Sequence, residues 1–515
     1  MKINMKKINH IWDYLLIFAI MINFSLIVYT NLFHYCYEMD ADIASEAVLA
    51  RLIWESGEWV PKSWYPGSEL RFFQTPNLAA LFYGLSHSMS LSMGAASTVM
   101  TVGIILSAYF FISQFTFDRT QKMAFLLLCL VIPNNILILE LLYIFASYYA
   151  LHTIVMFFTL GVYARLLSGK QNGYLWLSIT VILSFMLGMQ GVRGILIING
   201  PLLVTEICRQ MYLMYLGNRY NDKRNLFVGG WCVALFIAAY GGTLLPFSIG
   251  QGSSRNIRKS FIKLAERVFP DFGICLGWPE IGLWIFVHLG LLLIAMSVFF
   301  LVIIKMFQKK CNDYTLWVYL VLWISAPITA LIVMFTTIES SHRYYFMVYY
   351  AMAFGFIYFI SLFKEKSVVL YRSGYVIVLI LFLFQINTFY RPIIQSKEPA
   401  RTSEYKVSHY LVDNGYHTAY ATFESANTMT VLSGGTVRVA AVASVDKMDA
   451  CRCLSCSEWY VPNVPYESKT AYIVTKNENK EFEKFYEQHS EDIQLMTQID
   501  KYMIYASDYN FSCLE

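Results

Sequence analysis

Apolar runs of about twenty residues recur along the first 391 positions, and nothing else in the sequence limits the fold so strongly. A backbone inside hydrocarbon must satisfy its own amides, so runs of this length form membrane-spanning helices. The composition agrees: of 515 residues 57% are hydrophobic, 17% aromatic and only 14% charged, where a soluble globular chain carries roughly 25% charged residues. The expected fold class is a polytopic α-helical membrane protein. The first run, Ile11 to Phe33, follows Lys2, Lys6 and Lys7 as the core of a signal peptide would. It is long for such a core and no small-residue cleavage site follows, so it reads as a retained span. Further spans are expected near Gly94 to Phe115, Met123 to Leu139, Leu142 to Leu166, Tyr174 to Met189, and Ile195 to Leu216. The rest fall near Leu226 to Phe247, Ile281 to Ile304, Tyr314 to Phe335, Tyr345 to Phe363, and Val368 to Phe389. Together these make about eleven transmembrane helices.

Orientation follows from Lys and Arg in the short loops, which favour the cytoplasm. With a cytoplasmic N-terminus, the even-numbered spans end in "FDRTQK", "RLLSGK", "LGNRYNDKRN", "KMFQKKCND" and "FKEKS", each with at least two basic residues. The first loop, residues 34–75, and everything after Arg391 then lie outside. Residues 1–391 form the expected transmembrane domain. The polar tail, 392–515, reads as an extracytoplasmic α/β domain: helix "TSEYKVSHYLVDNG", strand "HTAYATF", helix "SANTMTVLSG", strand "VRVAAVA", then "AYIVT", "EFEKFYEQHS" and "KYMIYA". Its cysteines are Cys451, Cys453, Cys456 and Cys513. An oxidising exterior favours disulfides among them over a zinc site.

Ionisable groups at a membrane are costly, so each one is a candidate for function beside a plainer role. Between Glu38 and Arg71 there are seven Asp or Glu against three Lys or Arg. Asp42 and Glu46, four apart, share one face of an expected surface helix whose Ile43, Ala44, Ala47 and Val48 suit the bilayer surface; Asp40 sits just before it. The plain reading makes Asp40 or Asp42 an N-cap and leaves Glu46 solvated. That accounts for one carboxylate of three, and not for "SWYPGSELRFFQTPN", where Glu69 and Arg71 are set among aromatic residues.

A second loop, 247–280, breaks the positive-inside pattern with Arg255, Arg258, Lys259, Lys263 and Arg267. Ile257, Phe261, Leu264 and Val268 recur at i, i+4, i+7 and i+11, an amphipathic helix with a basic face. General attraction to anionic headgroups is one reading; a grip on the phosphate of one particular lipid is the sharper one. Other outer-side candidates are Glu140, Arg193 between glycines in "GMQGVRG", and Glu339, His342 and Arg343 in "IESSHRYY"; His152 lies nearer mid-membrane, where a lone histidine is commonly a hydrogen-bonded packing residue. No HExxH, Walker loop or GxGxxG after a strand is present, which argues against zinc proteases, nucleotide-driven pumps and dinucleotide enzymes. Nothing points to nucleic acid.

Carboxylates on a surface helix opposite basic groups suit transfer of a group from a lipid phosphate. Outside the cell the donor has to be membrane-borne. One carboxylate accepts the proton of the attacking hydroxyl as it meets the anomeric carbon, and Arg or Lys neutralises the leaving phosphate. One span, an outer loop opening with "DADIASE" and continuing through "SWYPGSELRFF", many spans and an outer α/β tail resemble the GT-C class of integral-membrane glycosyltransferases, with weaker echoes in "SYYALH" and "GVRG". The class includes protein O-mannosyltransferases and aminoarabinose transferases. The resemblance implies a GT-C fold, a polyprenyl-phosphate-linked sugar as donor, an extracytoplasmic acceptor hydroxyl, inversion, and an acidic base that falls on Asp40, with Asp42 next. Glu46, Glu69, Arg71, His152, Arg193, Arg255, Arg258, Lys259, His342 and Arg343 are the candidate substrate-binding residues. Some members hold a divalent metal such as Mg or Mn near this motif and others none; Glu339 and His342 are the candidate ligands here. The rivals are a transporter or flippase of lipid-linked sugars, a ligase of preassembled glycans, and a non-catalytic accessory protein. Against transport stands the lack of broken helices in two corresponding halves.

Overall fold

The computed structural model describes residues 5–37, 39–67, 69–170, 174–217, 223–245, 261–278, 282–309, 313–336, 339–396, 401–460 and 469–511. From the N-terminus these form α1 (Met5–Phe33), α2 (Ala41–Ser56), a two-residue strand β1 (Trp64–Tyr65), α3 (Thr75–Ser86), α4 (Met89–Ile112), α5 (Arg119–Val131), α6 (Ile136–Leu142), α7 (Ala150–Ser168) and α8 (Tyr174–Gln190). A π-turn, Ile195–Asn199, leads into α9 (Gly200–Tyr215), followed by α10 (Lys223–Thr243), a second π-turn (Leu264–Val268) and α11 (Phe269–Cys275). Then come α12 (Trp284–Phe307), α13 (Tyr314–Phe335), a 3₁₀ turn (His342–Tyr345), α14 (Met347–Ser361), α15 (Val368–Gln385) and, past a π-turn, α16 (Arg391–Gln395). The tail adds α17 (Thr402–Asp413), β2 (Thr418–Thr422), α18 (Phe423–Leu432), β3 (Arg438–Val442), β4 (Ser455–Cys456), β5 (Thr470–Thr475), α19 (Asn479–Gln488), β6 (Gln494–Ile499) and β7 (Tyr502–Ser507).

Among the described residues eight helices are long and apolar enough to cross a membrane, or nine when α5 and α6 count as one bent span. The chain is a multi-pass membrane protein. Each of the eleven expected spans falls on helix. The lower count has local causes: α8 has only 17 residues, α9 carries the ionisable pair Glu206 and Arg209, and α5 turns by 116° into α6. That bend sits at "IPNN", where Pro133 withholds an amide and the Asn135 side chain accepts from the Leu137 amide to restart the helix. Where α8 meets α10 the backbones touch. A Cβ on Gly188 would lie 2.0 Å from the Ala239 carbonyl oxygen, and one on Gly242 2.3 Å from that of Phe185, so only glycine admits this approach.

The chain divides into two compact units. One comprises Met1–Leu26, Met100–Tyr143 and Ser147–Arg391; the other comprises Ile27–Val99, Ile144–Ala146 and Pro392–Glu515. The last segment of the second unit opens at residue 392, and the same unit takes in the first loop.

In the second unit a five-stranded sheet runs in the order β3-β2-β5-β7-β6. β2 pairs in parallel with β3 and β5, and β7 is antiparallel to both β5 and β6. Side chains alternate across it. Ala419, Ala421, Val439, Ile473 and Ile504 pack with Val407 and Leu411 of α17 and Met429 of α18, whereas Tyr420, Tyr472 and Tyr505 pack with Phe482 and Phe485 of α19 on the opposite face. Seven tail elements fall where sequence places them, while β6, with exposed Leu495 and Met496, lacks the apolar alternation that would announce it. The same unit joins the first loop to the tail in three ways. β1 pairs antiparallel with β4, Trp64 opposite Cys456; the Ser457 amide donates to the Ser63 carbonyl at 2.7 Å; and α18 packs on α2.

Cys451, Cys453 and Cys456 are free thiols, so no disulfide forms among these three. Cys456 is buried in β4 while Cys453 is exposed, which turns the two apart. Cys513 lies outside the described residues.

Candidate functional site

Helix α2 begins where Asp40, in extended conformation, accepts the Ile43 amide on Oδ1 at 2.6 Å. It ends at Gly57, whose φ of 68° is the left-handed cap that glycine supplies. Asp40 is therefore the N-cap that the plainer reading proposed. Asp42, in the first turn, and Asp40 are both half-buried. Glu46 is not solvated: it is 2% exposed, one turn further along.

Arg71 explains that burial. Its Nε donates to Glu46 Oε1 at 2.7 Å and a second guanidinium nitrogen lies 2.6 Å from the same oxygen. The third nitrogen donates to Glu69 Oε2 at 3.0 Å, and Glu69 is 5% exposed. One cation thus faces two buried carboxylates. Burial pushes the Glu46 carboxyl above its ordinary range; the pair with Arg71 opposes the rise only in part, and the nearby Asp42 and Glu69 charges add to it. Tyr35, buried, donates its hydroxyl to the Ile43 carbonyl at 3.3 Å. Burial and its neighbours Cys36, Glu46 and Asp40 hold that phenol protonated. The tail reaches this group through residues 451–456. Burial raises the Cys453 thiol, and the charges of Cys451 and Asp42 raise it further. Glu46 of "DADIASE", Glu69 and Arg71 thus come together, with Tyr35 and Cys453 as neighbours that the sequence did not single out.

In the other unit, α6 packs against α7 and the 3₁₀ turn His342–Tyr345, and a cationic, aromatic cluster forms. The guanidinium of Arg193 lies 5.2 Å from the Tyr149 ring centroid and 5.7 Å from that of Tyr344. That of Arg343 lies 5.4 Å from the Tyr148 ring. Such contacts fix a guanidinium's plane while leaving its hydrogens able to grip an anion. His152 is 1% exposed, 5.4 Å from the Tyr149 ring. The Nε2 of His342 is buried without a hydrogen-bond partner among the described residues. Glu140 is buried at 3% exposure. Lys263 donates to the Thr336 carbonyl at 3.1 Å, and burial lowers its pKa against the raising charge of Glu339. Arg255, Arg258 and Lys259 lie outside the described residues. Of the expected amphipathic face, Val268 is buried and Phe261 exposed. Leu264, Val268 and Phe272 line an apolar cavity of about 270 Å³ with Trp323 and Pro327 of α13 and Val348 of α14.

Sequence reasoning passed over one buried ion pair. Glu206 accepts from Arg209 at 2.8 Å on each oxygen, from Tyr163 at 2.7 Å and from Gln210, while Arg209 also donates to Asn225 Oδ1 at 3.0 Å. Its signal, "TEICRQ" within an apolar run, is visible at i, i+3. Among the described residues no group of three His, Cys, Asp or Glu side chains is placed to hold a metal ion, Glu339 and His342 included.

No family model matches the chain, and no curated protein matches it. Among solved structures it is similar to the crystal structure of ArnT from Cupriavidus metallidurans bound to undecaprenyl phosphate, at 15% sequence identity and a TM-score of 0.44, over 96% of this chain and 98% of that one.

Proposed function

We propose that this chain is a GT-C-type membrane glycosyltransferase that moves a sugar from a polyprenyl-phosphate donor to a hydroxyl of an extracytoplasmic acceptor, with inversion. The N-terminus is cytoplasmic in this reading, and the first loop and the tail lie outside. The observation that carries it is how the carboxylates around α2 divide. Glu46 and Glu69 pair with Arg71, and the half-buried Asp40 and Asp42 stand at the start of the same helix.

Asp40 is the base, with Asp42 beside it in the chain as the alternative. An N-cap carboxylate is a weak base, because an amide and the helix dipole both favour its charged form. Weakness is tolerable in this reaction. In an oxocarbenium-like transition state the acceptor hydroxyl becomes acidic only as its bond to the anomeric carbon forms, so a fixed anionic oxygen suffices. Arg193 and Arg343 are the basic groups of the membrane unit suited to grip a lipid phosphate. The apolar cavity beside α11 takes part of the isoprenoid chain, and the basic residues 255–259 draw the headgroup toward the membrane surface.

The test is transfer of labelled sugar from a synthetic polyprenyl-phosphate donor by the purified chain in nanodiscs. Asp40→Asn should retain the cap, since asparagine caps as well as aspartate, and lose about a hundredfold or more in rate, the size of a general-base contribution. Full activity in both Asp40→Asn and Asp42→Asn sinks this assignment. Movement of intact lipid-linked sugar across sealed vesicles with no new glycosidic bond sinks the enzyme reading altogether.

A further inference from the structure

Helices α8 and α10 touch backbone to backbone near their C-terminal ends, through Gly188 and Gly242. Over their N-terminal halves the same two helices border an apolar groove of about 550 Å³, lined by Tyr174, Leu177 and Val181 of α8 and by Phe227, Gly230 and Trp231 of α10. On α8 the lining runs from Tyr174 to Ile182, about 12 Å along the axis at 1.5 Å per residue. One leaflet supplies half of a hydrocarbon core roughly 30 Å thick. The groove therefore matches the depth of one acyl chain and does not reach across the bilayer.

Its floor is fixed. The Trp231 indole donates to Thr180 Oγ1 of α8 at 3.2 Å, and its ring stacks on Tyr163 of α7 at 6.4 Å between centroids. Tyr163 in turn donates to Glu206, which is paired with Arg209. The buried ion pair of α9 thus stands behind the groove and holds the ring that lines it. A floor held in this way is preorganised, so a bound chain loses little to rearrangement of the protein. The groove also has room: a Cβ on Gly230 meets no atom within 4 Å.

Hydrocarbon fills any gap on the surface of a membrane protein, so a particular occupant has to be marked by its headgroup. Lys223, Phe227, Gly230 and Ala234 recur at i, i+4, i+7 and i+11 on α10, which puts the exposed Lys223 on the groove face, one turn nearer the helix start. Its neighbour Arg224 donates to the Leu166 carbonyl of α7 at 2.7 Å and keeps a second cation at that level. No Asp or Glu occurs in residues 174–182 or 223–234; Asp222 lies outside the described residues. We infer that this groove is a site for an anionic phospholipid of the leaflet in which α8 and α10 begin, with one acyl chain along Trp231 and Gly230 and the phosphate on Lys223. A lysine stem lies along apolar surface while its ammonium meets the headgroup.

The inference does not depend on sugar transfer, so its test does not use turnover. Full-length protein is placed in phosphatidylcholine nanodiscs containing a small fraction of phosphatidylglycerol with a photoreactive group midway along one acyl chain, and labelled peptides are mapped by mass spectrometry. Label is expected to concentrate on 174–182 and 227–234 relative to α1 and α12, which also expose large apolar side chains. The same probe carried on phosphatidylcholine should label the groove about fivefold less, one basic residue's attraction for an anionic lipid. Lys223→Gln should erase that difference. Gly230→Phe should clear the groove of label from either lipid while α1 and α12 label as before. Even labelling of all these helices by both probes, which is ordinary boundary lipid only, overturns the inference, and wild-type protein alone decides it. Displacement of the label by a polyprenyl phosphate but not by phosphatidylglycerol also overturns it, as does a groove shielded within a cross-linked pair of chains.

Discussion

Arg71 balances two buried carboxylates with one charge, and this asymmetry governs how the site responds to mutation and to pH. Arg71→Leu leaves Glu46 and Glu69 buried without their cation and should cost about 3–5 kcal/mol, read as a large fall in thermal unfolding temperature in nanodiscs. The Glu46 carboxyl is raised on folding, so the folded chain holds that proton more tightly than the unfolded one. Its contribution is therefore most favourable below the ordinary carboxylate range and declines as pH rises through the folded-state value. Glu46→Gln can still accept from Arg71 and should flatten that decline; an unchanged pH profile of stability in this variant would mean Glu46 is ionised throughout. The sequence shows three carboxylates in "DADIASE" but not their division of labour. Asp40 and Asp42 are half-buried while Glu46 is sealed because Arg71, 25 positions away, supplies a counter-charge that no local pattern announces.

At the scale of elements, helices were legible wherever one apolar run made one straight span. They were harder to read where a run hid a break, as at "IPNN" between α5 and α6, or an ion pair, as in α9. Strand content of the tail was legible from alternation, and β6 was missed because its side chains are largely exposed. The pairing of β1 with β4 was invisible, since a two-residue strand has no periodicity and its partner lies near position 456. That pairing brings the 451–456 loop to the acidic helix. It has a chemical consequence: the Asp42 charge helps to suppress ionisation of the Cys453 thiol. Asp42→Asn should therefore shift the pH–rate profile of Cys453 alkylation to lower pH, and faster reaction at neutral pH with a charged maleimide is the measurement. No change would place the loop away from Asp42.

For the whole molecule, the sequence suggests a membrane domain ending near 391 and an appended tail. The second compact unit takes in both the first loop and the tail, because β1 pairs with β4 and α18 packs on α2. Ending the chain after residue 391 should accordingly do more than remove a module. With α18 and β4 gone, α2 keeps α3 but loses α18, and β1 loses its partner strand, so limited proteolysis should cut at Arg51 or Lys62 at least about tenfold faster than in the full chain, as expected when a segment loses buried contacts. Equal protection in the shortened chain would show that the first loop is stable by itself.

The glycine contact between α8 and α10 bears on how the chain is made. With 17 residues α8 falls at the lower limit of what partitions into a bilayer unaided, and it emerges from the ribosome well before its partner. Its stable residence in the membrane would then be settled only when α10 arrives and Gly188 and Gly242 let the two backbones close. Substituting valine for either glycine would strike biogenesis before it touched any site chemistry, and the lesion would be seen as degraded nascent chain rather than as an inactive protein.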